Sequence, residues 1–279
     1  MPEHELGVLA ARQVVDEFAA KLNAKVVKRE QNMGLARSVV SGVTDLCERY
    51  GRVIVLEDDF ILHPFFLDFM LQSLDRYEND DQVAQVAGYL PPIYPKIETD
   101  SFFLPLTTSC GWATWQRAWK LFSWEIDSAL QILDTDLQMR FHFDLDGAYH
   151  FSDMLRLATD SKVDSWGIRW RWRTFYHRKL TLYPRRSLVW VGGFDNLATH
   201  TKSEEVPKFY DQPLALILEN NWKGSVSFPG TVQTDEIVFN RLKKLLRHKP
   251  PRVLLRSVIH ILIRWAKYFK HLIRNSFIR

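Results

Sequence analysis

Three acidic side chains stand side by side directly after a short apolar run. Glu57, Asp58 and Asp59 follow residues 53–56, whose uninterrupted apolar character is typical of a strand buried on both faces. In open parallel sheets, ligands bind beyond the carboxyl ends of the strands. Adjacent carboxylates repel one another, and oxygen ligands favour Mg²⁺ or Mn²⁺ shared with phosphates. The pattern indicates a metal-bound diphosphate, and a solvated acidic turn is the alternative.

The segments around these acids alternate between strand and helix patterns, which predicts an α/β fold. Residues 90–200 are expected to continue the same unit, and a boundary is expected within 201–235. The chain is therefore divided into a domain over 1–235 and a basic amphipathic helical tail over 236–279. The predicted elements are helices over 8–22, 35–50 and 64–77, strands over 24–30, 52–57 and 82–89, and a turn over 31–34.

Several motifs carry a family resemblance. The stretch VIVLEDDFILHPFFLDFM resembles the strand end at which GT-A-fold glycosyltransferases hold a divalent ion against a nucleotide diphosphate. REQNMGLARSVVSGV, LTTSCGWATWQRAWKLF, VDSWGIRW and LTLYPRRSLVWVGGFDNLATH resemble, in order, further segments of family 2-like bacterial polysaccharide glycosyltransferases. The resemblance covers most of residues 24–200 and places the chain near the nucleotide-diphospho-sugar transferase superfamily.

The resemblance implies a GT-A, Rossmann-like α/β fold. Its sheet is expected to be mixed, mostly parallel and flanked by helices, with an amphipathic helix at the C-terminal end. Members of the family usually begin with a strand, a helix and a second strand before the region that matches here. The chain is therefore expected to lack that N-terminal unit.

The resemblance also implies roles for individual residues. Asp164 matches the general base, Asp59 the principal metal ligand, and His200 a late histidine that reaches the metal or the diphosphate. Nucleotide and donor contacts are implied for Asn32, Gly34, Arg37, Glu57, Asp58, Gly111 and Trp112, and the acceptor pocket is implied for Asp195 and Asn196.

The implied activity is transfer of a sugar from a nucleotide-diphosphate donor to a hydroxyl of a glycan or lipid-linked acceptor, in surface polysaccharide synthesis. Mn²⁺ or Mg²⁺ is the implied cofactor, and one carboxylate suffices to activate the acceptor for inversion. Two alternatives stay open. One is a catalytically impaired, membrane-associated binding protein derived from such an enzyme, and the other is a different metal-dependent phosphate enzyme.

Other residue patterns have simpler explanations. Trp112, Trp115, Trp119 and Phe122 recur at helical spacing, which is more often a core stripe than a sugar platform. Arg169, Arg171 and Arg173 alternate with tryptophans, which predicts a strand with one polar face, or else a basic ladder facing phosphate. Asp153 is a second candidate base, but its surroundings predict an exposed position on a helix.

Charge is distributed unevenly along the chain, although the net charge is only +4. From Arg241 onward there are twelve Lys or Arg residues and no acid, so the body is acidic and the tail is basic. Residues 252–275 form an amphipathic pattern that favours an anionic membrane surface over packing on the domain. Nucleic-acid binding is not expected, because the apolar face is too broad.

Cellular location is inferred from what the sequence does not show. Cys47 and Cys110, the two cysteines, make no disulfide framework, and neither a signal peptide nor a membrane-spanning apolar run is recognised. The expected location is therefore cytoplasmic, peripheral on the inner face of the plasma membrane.

Overall fold

The computed structural model describes residues 2–159, 164–192, 210–218, 222 and 224–247. The helices are α1 Pro2–Leu22, α2 Leu35–Tyr50, α3 Phe66–Arg76, α4 Gln116–Trp119, α5 Asp127–Thr135, α6 Leu137–Phe143, α7 Phe151–Thr159, α8 Trp166–Tyr176, α9 Leu214–Leu218 and α10 Glu236–Leu246. The strands are β1 Arg52–Val55, β2 Phe60–Leu62, β3 Val83–Ala87, β4 Ser101–Leu104, β5 Trp112–Trp115, β6 Leu180–Pro184 and β7 Val189–Val191.

The main sheet contains five strands in the order β1-β5-β3-β6-β4. Strands β3 and β6 run parallel, whereas β1–β5, β3–β5 and β4–β6 pair antiparallel. The α/β class and a mixed sheet flanked by helices are therefore confirmed, but the expectation of a mostly parallel sheet is wrong. The reason is that β5 lies between β1 and β3 and runs against both, and that β4 runs against β6.

Strand β3 forms the centre of the sheet because all five of its residues are buried. Its one polar side chain, Gln85, is satisfied by the loop that precedes β5. The Gln85 side-chain amide donates to the Thr108 carbonyl at 3.0 Å and accepts from the Thr108 backbone N–H at 2.9 Å. This pair of hydrogen bonds fixes the position of the loop relative to the sheet.

Helix α2 packs through one face, as its sequence predicts. Ala36, Val40, Val43 and Cys47 recur every three or four residues and are buried. Gly51 ends the helix in the left-handed conformation, with φ 76°, and its N–H bonds the Cys47 carbonyl at 2.9 Å. Burial of this apolar face holds the start of α2 against the sheet.

Helix α1 differs from α2 because its apolar side chains remain exposed, including Val14 at 56% and Phe18 at 52%. Polar contacts connect it to the following segment, among them a 2.6 Å ion pair between Lys28 and Asp16. The helix predicted over 8–22 is confirmed. The strand predicted over 24–30 is wrong, because the segment pairs with no strand among the described residues.

Two aromatic-rich segments adopt different structures from those predicted. Trp112 and Trp115 lie in strand β5 rather than on a helix, although both are buried and their interpretation as core is confirmed. Arg169, Arg171 and Arg173 lie on helix α8 rather than on a strand. Their guanidinium groups donate to backbone carbonyls, so the predicted basic ladder does not form.

Helix α10 belongs to the folded body. Its Val238 and Leu242 are buried in a cluster with Leu104 and Tyr183. The expected division at residue 235 therefore does not separate residues 236–246 from the rest, because this helix completes the core. Residues 252–275, the predicted membrane-binding segment, lie outside the described residues. Among the helices that are described, none combines the length and apolar character needed to cross a membrane.

Candidate functional site

The acidic strand end and the predicted base lie at the same end of the sheet. Val55, the last residue of β1, is in register with Trp112. The Trp112 ring stacks on Trp166, with 5.0 Å between ring centroids. Because Trp166 is the first residue of α8, the N-terminus of that helix lies where β1 ends. Asp164 precedes α8 by two residues and is thereby placed near the carboxyl end of β1.

A cavity of about 860 Å³ opens beside Asp164. It lies between one face of α2, the ends of α7 and α8, and Trp124. Its charged and aromatic wall consists of Arg37, Asp45, Glu48, Trp124, Asp164 and Arg169. This large cavity therefore contains both guanidinium groups and carboxylates, as a site for a phosphate-bearing molecule and a proton acceptor requires.

Gly34 lies in direct reach of the predicted base. A Cβ atom at this position would lie 3.3 Å from Asp164 Oδ2. Its backbone has φ 76° and ψ 162°, a conformation that essentially only glycine adopts. The Asn32 side chain fixes this turn by accepting a hydrogen bond from the Gly34 N–H at 2.8 Å. The structure thus brings Asp164 close to Gly34, in the segment that also contains Asn32 and Arg37, although Asp164 is distant from that segment in sequence.

Arg169 holds the start of α8 in place. Its guanidinium donates to the backbone carbonyls of Ser165 at 2.7 Å, Ala158 at 3.2 Å and Trp124 at 3.3 Å. Burial lowers the pKa of Arg169, and the charge of Asp164 opposes that shift. Arg169 therefore connects three walls of the large cavity.

The three acids differ in exposure. Asp58 is exposed, whereas Glu57 and Asp59 are half-buried. Burial raises the pKa of Glu57, and the nearby charges of Asp59 and Asp58 raise it further. The Asp59 carbonyl accepts a hydrogen bond from the Gly192 N–H at 2.9 Å, next to the paired strands β2 and β7. The second sheet thus fixes the backbone of the acidic turn.

These acids meet part of the requirement for a divalent cation. The donors are carboxylate oxygens, and their mutual repulsion is what a cation relieves. Across the described part of the chain, however, no group of three or more His, Cys, Asp or Glu side chains is placed to hold a metal ion. A divalent ion at this turn would have to take one or two carboxylates from the protein and its further oxygen ligands from phosphate.

Gly111 and Trp112 are closely packed by neighbouring side chains. Gly111 has φ 60°, and a Cβ atom there would lie 2.7 Å from Val189 Cγ2. Trp112 is fully buried beneath Trp166 and Trp119. The expectation that Trp112 contacts the donor is therefore wrong, because the side chain is enclosed by other rings. Gly111 allows the chain to enter β5 without a clash.

A second, smaller cavity of about 240 Å³ lies on the other side of the α8 N-terminus. Its wall is mainly aromatic and hydroxyl-bearing and includes Tyr89, Thr108, Ser109, Ser165, Trp170 and Arg171. Ser165 adjoins Asp164, and Ser109 adjoins Cys110, whose pKa is raised by burial and, to a smaller extent, by the charge of Glu57. The small cavity thus lies close to both the predicted base and the acidic strand end.

The remaining predicted residues are not placed. Asp195, Asn196 and His200 lie outside the described residues. Conversely, sequence reasoning did not assign Trp124 or Ser165 to a site. Thr107, Thr108 and Ser109, which line the small cavity, belong to the motif LTTSCGWATWQRAWKLF. That motif was the available signal for this part of the cavity. Trp124 had no comparable signal.

Comparison with known proteins adds no relative: no protein-family model matches the chain, and no curated protein matches it. The candidate function therefore depends on the site itself and on the residue motifs that the chain contains.

Proposed function

We propose that this protein is a metal-dependent, inverting glycosyltransferase. It takes a sugar from a nucleotide-diphosphate donor and transfers it to a hydroxyl of a glycan or lipid-linked acceptor, as surface polysaccharide synthesis requires. We also propose that the enzyme has the GT-A fold. Residues 252–275 would bind it to an anionic membrane surface.

One observation carries the proposal. Arg37 and Asp164 line the large cavity, and a Cβ atom at Gly34 would lie 3.3 Å from Asp164 Oδ2. A site of this kind needs a cation-binding acid group, a glycine that permits close approach, a guanidinium for phosphate and a carboxylate for the acceptor. These four features are supplied by three segments of the chain, around residues 34–37, 57–59 and 164.

The chain's own residues account for the proton and for orientation. Asp164 accepts the proton of the acceptor hydroxyl while the hydroxyl oxygen bonds to the anomeric carbon of the donor. The bond from that carbon to the diphosphate oxygen breaks, and attack from the opposite face inverts the configuration. When bound, a divalent cation neutralises charge on the departing diphosphate.

Arg37 and Arg169 supply the positive charge of the large cavity. Of the acids on the same wall, Asp45 is engaged by Arg49 in a 2.7 Å ion pair. Guanidinium groups bind phosphate oxygens in a bidentate manner, so the exposed Arg37 can orient the diphosphate, whereas the Arg169 guanidinium is engaged by three backbone carbonyls. Asp164 then stands on the same wall as the proton acceptor.

The test is thermal denaturation of the full chain with uridine, guanosine or thymidine diphosphate, each with and without Mn²⁺. We expect at least one diphosphate to raise the Tm only when Mn²⁺ is present, because a ligand that binds the folded state stabilises it. Asp59→Ala should abolish the rise. Asp68→Ala, which removes an exposed carboxylate on α3, should leave it intact.

Two results would overturn the proposal. One is the absence of any Mn²⁺-dependent rise in Tm with all three diphosphates. The other is an equal loss of the rise in the Asp59 and Asp68 variants. A rise in Tm without sugar transfer to any acceptor would instead favour the catalytically impaired binding protein.

A further inference from the structure

Trp124 differs from the other tryptophans of this protein. Among the tryptophans that the structure describes, it alone is exposed, at 41%, and it lies on the wall of the large cavity. Single exposed apolar side chains are ordinary on protein surfaces, so exposure by itself does not make a site. What singles out Trp124 is that its ring is held in place beside carboxylates and hydroxyl groups of the same cavity.

The Trp124 ring is held by contacts on several sides. Phe122 packs against it in a T-shaped arrangement, with 5.4 Å between ring centroids, and the Arg169 guanidinium lies over it at 5.4 Å from the centroid. Arg169 also donates to the Trp124 carbonyl, and the Ser123 hydroxyl accepts from the Glu125 N–H at 3.1 Å. A side chain that is ordered beforehand loses less entropy when a ligand binds.

A chain of contacts places Trp124 beside the second half of α2. The Trp119 indole N–H donates to the Thr44 hydroxyl at 2.9 Å, and the Trp119 ring stacks on Phe122 with 4.7 Å between centroids. Thr44 lines the same cavity as Trp124 and is seven residues beyond Arg37, which is about 10 Å along the helix. The ring is therefore offset from the guanidinium at the start of α2.

The charges on the wall of the large cavity are also separated along α2. Arg37 lies in the first turn of the helix, whereas Asp45 and Glu48 lie in its second half. Asp45 is in an ion pair with Arg49. Glu48 is exposed and has neither an ion pair nor a side-chain hydrogen bond within the described residues. An anionic group is therefore attracted to the start of α2 and repelled from its second half.

We infer that the second half of the large cavity, formed by Trp124, Thr44 and Glu48, binds an uncharged sugar ring. The C–H groups on the face of a sugar pack on an aromatic ring, and its hydroxyl groups donate to a carboxylate. An uncharged ring makes both kinds of contact without adding negative charge beside Asp45 and Glu48. We call this part of the cavity the Trp124 subsite.

The role of the Trp124 subsite in the reaction rests on the proposed function, whereas the binding of an uncharged sugar does not. Arg37 can orient the diphosphate, and Asp164 lies beside Gly34 at the start of α2. A sugar in the Trp124 subsite therefore belongs to the acceptor, which extends along α2 from Asp164. The acceptor is accordingly a glycan with an uncharged sugar near its reacting end.

The test is calorimetric titration of the full chain with three uncharged disaccharides, maltose, cellobiose and N,N′-diacetylchitobiose, and with digalacturonate as their anionic counterpart. All titrations use pH 7 and one ionic strength. We expect at least one uncharged disaccharide to bind about 10-fold or more tightly than digalacturonate, because the carboxylates of the wall repel the anion.

Variants of Trp124 assign the binding to this subsite. Trp124→Ala should weaken binding of the preferred disaccharide about 10-fold, because it removes the aromatic face. Trp124→Phe retains an aromatic ring and should weaken binding only about 2-fold to 3-fold. Tyr50→Ala is the control, since it removes a 71% exposed aromatic side chain of α2 that does not line the cavity, and it should leave binding unchanged.

A variant of Glu48 tests the charge argument separately. Glu48→Gln keeps the shape of an exposed side chain and removes its negative charge. It should narrow the preference for the uncharged disaccharide over digalacturonate, because less negative charge remains on that wall.

Binding of digalacturonate as tight as that of every uncharged disaccharide would overturn the inference, and so would no binding of any of the four. Equal effects of Trp124→Ala and Tyr50→Ala would also overturn it. These titrations contain neither nucleotide nor Mn²⁺, so their outcome is separate from the diphosphate test. Sugar binding without a Mn²⁺-dependent rise in Tm would support the Trp124 subsite and overturn the transferase proposal alone.

Discussion

The two cavities lie on either side of the adjacent residues Asp164 and Ser165 but differ in charge. The large cavity contains arginines and carboxylates, several of which are partly exposed. The small cavity contains aromatic rings, hydroxyls and one buried arginine. In the large cavity, positive and negative side chains can neutralise one another's charge. The small cavity has no carboxylate among its described wall residues. The N-terminus of α8 thereby separates a charged cavity from a mainly aromatic one.

The largest effect should come from the residue between the two cavities. Asp164→Asn should reduce sugar transfer by about 10²-fold to 10⁴-fold, which is the usual contribution of a general base. Initial rates with the donor identified in the Tm assay would measure the loss. The Tm should change little, because Asp164 is exposed.

Asp153→Asn is the matched control, since Asp153 is exposed on α7 and was the other candidate base. It should retain the unaltered rate. Full activity in the Asp164 variant would show that the large cavity does not hold the proton acceptor.

Replacement of Gly34 should affect both the free energy of unfolding, through backbone strain, and the rate of transfer, through the contact with Asp164. Gly34→Ala should lower the free energy of unfolding by about 1–3 kcal/mol, because its φ of 76° and ψ of 162° strain any other residue. It should also reduce transfer, since the added methyl group would lie 3.3 Å from Asp164 Oδ2. Urea denaturation and initial rates would measure the two effects.

Gly51→Ala provides the comparison at the other end of α2. Gly51 also has φ 76°, but an added Cβ would meet nothing within 4 Å. It should lose about 1–2 kcal/mol of stability from the left-handed conformation and keep its rate of transfer. A similar loss of activity in both variants would remove Gly34 from the site.

Arg169 tests whether the wall of the large cavity matters beyond stability. Arg169→Met removes hydrogen bonds to three backbone carbonyls and should cost about 1–3 kcal/mol of unfolding free energy. It should also lower the transfer rate of the folded fraction, because Ser165 and Trp124 lose a shared anchor. Chemical denaturation and steady-state kinetics would show both.

Arg173→Met serves as its control. Arg173 lies one turn further along α8 and donates to the Leu121 carbonyl at 2.6 Å. It should lower stability while leaving kcat and KM unchanged. An unaltered rate in the Arg169 variant would show that this anchor serves the fold alone.

The smallest effect concerns the outer wall of the small cavity. Lys243 of α10 donates to Asp146 at 2.6 Å, next to Leu242, which lines the cavity. Lys243→Met should cost about 0.5–1 kcal/mol at pH 7, because the Asp146 carboxylate is only partly shielded from water. Denaturant titrations of both proteins at several pH values would measure the difference.

The pH dependence of that difference has a defined sign. Burial alone would raise the pKa of Asp146, but hydrogen bonds from Lys243 and His142 lower it below 3.8 overall. The stabilisation is therefore present above pH 3.8 and is lost as the pH falls through the lowered value. A gap between the two proteins that persists after Asp146 is protonated would contradict this account.

Local sequence patterns predicted much of the secondary structure near the site. Helix α2, strand β3 and the turn at Asn32 follow from apolar periodicity, from a short and mostly apolar run, and from Asn32 and Gly34 in the turn. These elements form where predicted because their signals lie within a few residues of one another. The position of the acids directly after an apolar strand is readable for the same reason.

The aromatic-rich segments around Trp112 and Arg169 were compatible with both helix and strand patterns. Trp112 and Trp115 fit a helical stripe with Trp119, yet they form a strand because β1 and β3 pair with both edges of β5. Alternation of Arg169 and Arg171 with tryptophans fits a strand, yet these residues form a helix that packs on the sheet. Aromatic residues are compatible with either structure, so long-range neighbours decided between them.

The sequence by itself determined which residues have the chemistry for cation, phosphate and proton, and placed the acids at the end of a strand. Only the tertiary structure decided that Gly34 and Asp164 meet and that Trp112 is buried. It also decided that Arg169 and Arg171 belong to a helix whose guanidinium groups bond backbone carbonyls. The physical reason is that strand order and helix packing bring distant segments together, whereas sequence patterns report contacts between near neighbours.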